Sequence, residues 1–124
     1  MVETFVDALN KRDGKLLASL YAYAPHSLCT DLDILTFNEV TGQEPLALKE
    51  LTKSQASLSG APGTAALPTG GFIVDFGLMW TYQLKGEIEE RTLHVRVQWR
   101  IEQQGGTYKV VTQKTTDLDH DSAC

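Results

Sequence analysis

Apolar and polar side chains alternate almost without error along two stretches of the chain. From Phe72 to Leu84 every even position is apolar or aromatic (Phe72, Val74, Phe76, Leu78, Trp80, Tyr82, Leu84), and from Thr92 to Ile101 every odd one is (Leu93, Val95, Val97, Trp99, Ile101). A period of two is that of a half-buried strand, so these runs, joined across Lys85-Gly86-Glu87, are read as neighbouring antiparallel strands. Successive side chains leave a strand on opposite faces. The run that turns Trp80 and Trp99 inward therefore turns Thr92, His94, Arg96, Gln98 and Arg100 outward together, beside Ile73, Met79, Thr81 and Gln83.

Elsewhere the period changes. Val2, Phe5, Val6 and Leu9 follow i, i+3, i+4, i+7 and predict a helix from Val2 to Arg12, stopped at Asp13-Gly14. Leu16, Leu17, Leu20 and Tyr21 give the stripe of a second helix, ended by Pro25. A strand is expected over Leu28 to Phe37. Thr41-Gly42-Gln43-Glu44 has the spacing of a capping box, with Pro45 tolerable in the first turn, so a third helix is expected to run to about Gln55. Small residues, glycine and proline dominate 57–71, which reads as a long flexible loop. After Gln104-Gly105-Gly106 a last long strand is expected from Thr107 to Leu118, then a frayed tail over 119–124. The order implies one α+β domain over 1–124, with a curved antiparallel sheet around three N-terminal helices.

Composition narrows the function. With 11 Lys+Arg against 16 Asp+Glu and a formal charge of −5, there is no basic footprint, so direct nucleic-acid binding is not expected. No window approaches the roughly 18 apolar residues of a membrane span. Two cysteines form no framework, the first thirty residues hold no secretory apolar run, and Cys29 reads as a small buried apolar side chain. A reducing, intracellular compartment is the expectation. Asp117, Asp119, His120 and Asp121 have the residue types of a metal site but sit at a terminus, where solvated charge is ordinary. The glycines of 57–71 lack the lysine-hydroxyl pair of a phosphate loop. Neither a metal nor a cofactor is expected.

Two groups of residues remain as candidates. Asp31 and Asp33 lie two apart, on one side of the expected strand, and there one of them could be a desolvated base. The outer ribbon mixes apolar area with forked donors, and arginine, methionine and aromatic residues are what interface centres enrich. The inner positions of the two alternating strands hold no acid or base, whereas an enzyme pocket needs convergent polar groups.

The element order resembles the nuclear transport factor two-like superfamily, whose sheet wraps its helices as a cone. Val40-Thr41-Gly42-Gln43-Glu44 with Leu46, and Leu16-Leu17 with Leu20-Tyr21, are the local matches. Steroid isomerase-like members of that superfamily carry a tyrosine, an aspartate base and a second acid, where this chain has Phe5, Asp31 and Val97; one of the three is present. Together with Phe5-Val6 and Lys11-Arg12, the matches resemble the small subunits of nuclear mRNA export receptors. That resemblance implies a non-catalytic subunit, placed in the nucleus and at the nuclear pore, that heterodimerises with a larger protein carrying a similar domain, a homodimer being possible. The interface would be His94, Arg96, Gln98, Arg100, Met79 and Thr81. The alternative is a small-molecule-binding or isomerase-like (polyketide cyclase-like) protein, with Asp31 as base in a cavity lined by Phe76, Trp80, Val97 and Trp99.

Overall fold

The computed structural model describes residues 1–23, 25, 29–37 and 46–119. Among these, four short helices precede five strands: α1 (Val2–Lys11), α2 (Gly14–Ser19), α3 (Asp31–Phe37), α4 (Leu46–Lys49), β1 (Leu51–Leu58), β2 (Gly63–Ala66), β3 (Phe72–Leu84), β4 (Arg91–Gln104) and β5 (Thr107–Asp117). The strands make one antiparallel sheet in the order β1-β3-β4-β5, with β2 pairing the first residues of β3 beside β1. The class is α+β. No helix is long and apolar enough to cross a membrane.

The two alternating runs are β3 and β4, paired in register from Phe72 opposite Ile101 to Tyr82 opposite Arg91. Their inner side chains meet α1. The ring of Phe5 stands edge-on to Trp99 at 5.2 Å and to Phe76 at 5.9 Å, geometry that adds to the gain from burying the rings. α1 ends at Arg12, which takes the left-handed conformation at φ 53°. Asp13 follows, its N–H closing α1 on the Ala8 carbonyl at 2.9 Å. It is the N-cap of α2, its Oδ1 accepting from the Leu16 N–H at 3.0 Å.

Four expected segments differ. α2 ends at Ser19, well before Pro25, because the chain next joins the sheet: the Val110 N–H donates to the Leu20 carbonyl and the Ala22 N–H to the Val110 carbonyl, a parallel bridge on the edge of β5. The expected strand ending at Phe37 is helix from Asp31 onward. The Ile34 N–H bonds the Thr30 carbonyl and the Asp33 carboxylate accepts from the Cys29 N–H, a variant of the reciprocal N-terminal cap. Leu32, Asp33, Thr36 and Phe37 then share the buried face. The capping box at Thr41 to Glu44 lies outside the described residues, and the helix expected to reach Gln55 stops at Lys49, where β1 takes its place as the partner of β3. Within the expected 57–71 loop, β1 runs on to Leu58 and β2 occupies four residues.

An edge strand exposes backbone groups that invite wrong partners. α1 covers this edge of β1. The Asn10 amide donates to the Ala56 carbonyl at 3.1 Å and its Oδ1 accepts from the Ala56 N–H at 2.6 Å, so one side chain stands in for a neighbouring strand. Arg12 donates to the Leu51 carbonyl at 2.7 Å. Asn10→Ala is expected to cost about 1–3 kcal/mol in urea unfolding, since both Ala56 groups lose their partner. A loss below roughly 0.5 kcal/mol would mean that water replaces the amide without penalty.

Candidate functional site

The six outward candidates share the outer face of β3 and β4. Met79 lies opposite His94, Thr81 opposite Thr92, and Ile73 opposite Arg100. Ile73 is 43% and Met79 37% exposed. Arg96 does not stand as a free fork: its Nε donates to both oxygens of Asp75, at 2.9 and 3.1 Å, and a terminal nitrogen also reaches Oδ2. The Arg96 guanidinium holds the Asp75 carboxyl below the usual carboxylate range, and Asp75 in turn raises Arg96. Arg100 sits 3.2 Å from Glu102, and His94 Nδ1 lies 3.9 Å from Asp119, beyond hydrogen-bond reach. Asp75 is the member of this face that the reading of the sequence passed over. Its odd position in β3 was the available signal.

Asp31 and Asp33 are not on a strand and do not share a side. Asp31 opens α3 half-buried and accepts from the Tyr82 hydroxyl at 2.8 Å. Burial and the bond to Asp31 both raise the Tyr82 pKa. Tyr82 stacks on Trp80 at 4.2 Å, and Trp80 Nε1 donates to Ser54 Oγ at 2.8 Å.

Asp33 is the buried carboxylate, 1% exposed. It accepts from the Cys29 N–H at 3.1 Å, from Gln113 Nε2 at 2.7 Å and from the Thr115 hydroxyl. Because the single Thr115 proton goes to Asp33, the Thr30 hydroxyl must donate to Thr115, 2.8 Å away. Gln113 Oε1 accepts from Trp99 Nε1 at 2.8 Å and from the Tyr21 hydroxyl at 2.5 Å. Since the indole can only donate, the Gln113 amide has one allowed orientation. Burial, chiefly, and then the Asp33 charge raise Tyr21 well above the ordinary tyrosine value. No buried side-chain nitrogen or oxygen among the described residues lacks a partner. Such a closed network holds α3 and the 20–22 segment against β5, and its acid is fully engaged in holding structure.

Gln113 and Thr115 escaped the sequence reading. The inner positions of β3 and β4 hold no Asp, Glu, His, Lys or Arg, their polar atoms being the Tyr82 hydroxyl and the Trp80 and Trp99 indole N–H groups, but β5 supplies Gln113 and Thr115. Phe76, Trp80, Val97 and Trp99, expected to line a cavity, are buried core side chains, with Phe76 and Trp99 against Phe5. Cys29 is half-buried and disulfide-bonded, so it is not the small buried apolar side chain expected, and cysteine usage no longer argues for a reducing compartment. Cys124, His120 and Asp121 lie outside the described residues. Among the described residues no three His, Cys, Asp or Glu side chains gather as metal ligands.

Compared with known protein-family models and with the curated proteins, the chain matches none of them.

Proposed function

We propose that this chain is a non-catalytic subunit that pairs, through the outer face of its sheet, with a larger protein carrying a similar domain, and that the pair serves nuclear transport of mRNA. The observation that carries the pairing is the face itself: Ile73 and Met79 stay exposed on either side of the Arg96–Asp75 ion pair, with Arg100–Glu102 beside Ile73. Exposed apolar side chains set among arginines and fixed ion pairs are a mixture that interfaces use. The transport assignment rests on the short sequence matches alone, the Val40 to Leu46 run with Leu16-Leu17 and Leu20-Tyr21, since the strand that the element order needed is helix from Asp31. The isomerase-like alternative has less support, since Asp31 is engaged by Tyr82 and Asp33 is closed within its network.

The test is affinity capture with the partner identified by mass and stoichiometry. The wild-type chain is expected to recover one larger partner in equal amounts. Arg96→Glu with Arg100→Glu is expected to lose it while the chain stays folded, because both side chains point outward. Asp75→Arg with Arg96→Asp keeps an internal ion pair but inverts the pattern, and is expected to lose the partner as well. Undiminished recovery with both pairs of substitutions would remove the sheet face from the model of association.

A further inference from the structure

We propose that Ile88, at the tip of the β3–β4 hairpin, seats in a socket on the outer sheet face of a second copy of this chain. Ile88 is 94% exposed, the highest exposure of any large apolar side chain among the described residues. The socket, about 340 Å³, lies toward the other end of the sheet, and its lining includes Ile73, Gln98, Arg100, Thr112 and Lys114. This inference does not rest on pairing with a larger protein. Ile73 and Arg100 also belong to the face proposed for that pairing, so a copy seated there covers the face while the partner is absent.

The tip is held in place by its own neighbours. Gln83 Nε2 donates to the Glu87 carbonyl at 2.8 Å and to the Ile88 carbonyl at 3.2 Å, and the Glu87 N–H bonds the Leu84 carbonyl at 3.0 Å. Arg91 pairs with Glu87 at 2.9 Å and Lys53 with Glu90 at 2.5 Å, which ties the turn to β4 and to β1. An apolar side chain presented by an ordered turn has little conformational freedom left to lose, so most of the gain from burying it survives as affinity.

The socket residues converge on one face. Ile73 is opposite Arg100, which is opposite Thr112, and Gln98 is opposite Lys114. All five leave the sheet on its outer side, since their neighbours Val74, Trp99 and Gln113 are buried inward. The bulge at Val111 interrupts the ladder beside Thr112. Ile73 supplies apolar area, and Arg100 and Lys114 add methylene stems whose charged heads stay in water. Arg100 is paired with Glu102, and Asp75, across from Gln98, with Arg96. Lys114 is the charge left over, without a partner among the described residues. At the tip Glu87 and Glu90 are likewise paired, which leaves Glu89, next to Ile88, as the free carboxylate; Lys85 stands beyond Gly86. An apolar knob with a carboxylate thus meets an apolar socket with an ammonium, and this charge match selects a second copy as the occupant. Ile88 cannot fill its own socket, because the run of β3 from Ile73 to Leu84 separates the two by roughly 35 Å.

Sedimentation equilibrium and amide-resolved NMR of the purified chain alone test this, and a failure leaves the pairing with a larger protein untouched. Mean mass is expected to rise with concentration, at a dissociation constant between about 0.1 and about 1 mM, with shifts gathered at Glu87 to Glu89 and at Ile73, Arg100 and Lys114. Ile88→Asp and Ile73→Asp, both at exposed positions, should each weaken self-association about tenfold or more. Lys114→Glu should weaken it about fivefold, and adding Glu89→Lys to Lys114→Glu should recover it. Mixed together, the Ile88→Asp and Ile73→Asp chains still provide one intact socket and one intact tip, so a one-to-one complex is expected. Constant mass up to roughly 1 mM, self-association unchanged in both single aspartate variants, or no complex in the mixture would overturn the contact. A wild-type assembly that stops at the dimer means that two copies exchange tips, and one that keeps growing means an open chain; either sustains the contact.

Discussion

Asp33→Ala is expected to lower the unfolding free energy by about 3 kcal/mol or more, the largest loss from any single polar side chain among the described residues. The carboxylate serves three donors from two segments, the Cys29 N–H before α3 and the side chains of Gln113 and Thr115 on β5, in a site closed to water. Removing it strands all three. Gln113 then loses the anchor that orients its amide, so the bonds it accepts from Trp99 and Tyr21 loosen too. Asp33→Asn separates charge from connectivity. Gln113 donates to one carboxylate oxygen, whereas Cys29 and Thr115 donate to the other. An asparagine amide nitrogen in either position faces a donor, so one bond fails and the cost should be about 1–3 kcal/mol. Urea unfolding of the three proteins gives the comparison. If the alanine variant loses under roughly 1 kcal/mol, burying the carboxylate costs nearly as much as its bonds return.

Stability is expected to hold up to about pH 10 and then fall steeply, driven by Tyr21 and Tyr82. Both have folded-state pKa values raised above the ordinary tyrosine value, Tyr21 by burial and the Asp33 charge, Tyr82 by burial and its bond to Asp31. A raised folded pKa contributes stability fully present below the unfolded pKa, which for tyrosine is near 10. Above it the unfolded chain releases both phenolic protons while the folded protein keeps them. The unfolded state then binds fewer protons, and unfolding becomes easier as pH rises. Each tyrosine contributes a slope of about −1.4 kcal/mol per pH unit, and the two together roughly −2.7. Unfolding free energy measured from pH 8 to 12 in the wild type and in Tyr21→Phe with Tyr82→Phe isolates the effect, since lysine titration is common to both. An equally steep fall in the double variant would assign alkaline unfolding to other groups.

The outer face and the Asp33 network differ in how far the sequence foretold them. Alternation alone placed Arg96, Arg100, His94, Met79 and Thr81 on one face, because β3 and β4 pair without a bulge and the period of two is kept throughout. The same rule applied to β5 fails at one residue. The register shifts between Ile101 opposite Val110 and Arg100 opposite Thr112, so Val111 is an extra residue that reverses the faces beyond it. Val110 is inward on one side of the bulge, Gln113 and Thr115 on the other. Thr30-x-x-Asp33 carried the cue for α3, a hydroxyl residue followed three positions later by an acid. Short segments such as Leu32 to Phe37 serve strand and helix alike, and the expected strand passed over that cue.

By itself, then, the sequence determined the extent of α1, the pairing of β3 with β4, the position of β5 and which side chains of β3 and β4 meet the core. These follow from periodicities that each segment carries within itself. Only the tertiary structure decided that the chain after Lys49 is a strand, that α2 gives way to a bridge on β5, that Asp75 neutralises Arg96, and that Asp33 rather than Asp31 is sealed in the core. Each depends on a partner distant in sequence: β3 for β1, Val110 for Leu20 and Ala22, and for Asp33 the two donors that a single bulge turns inward.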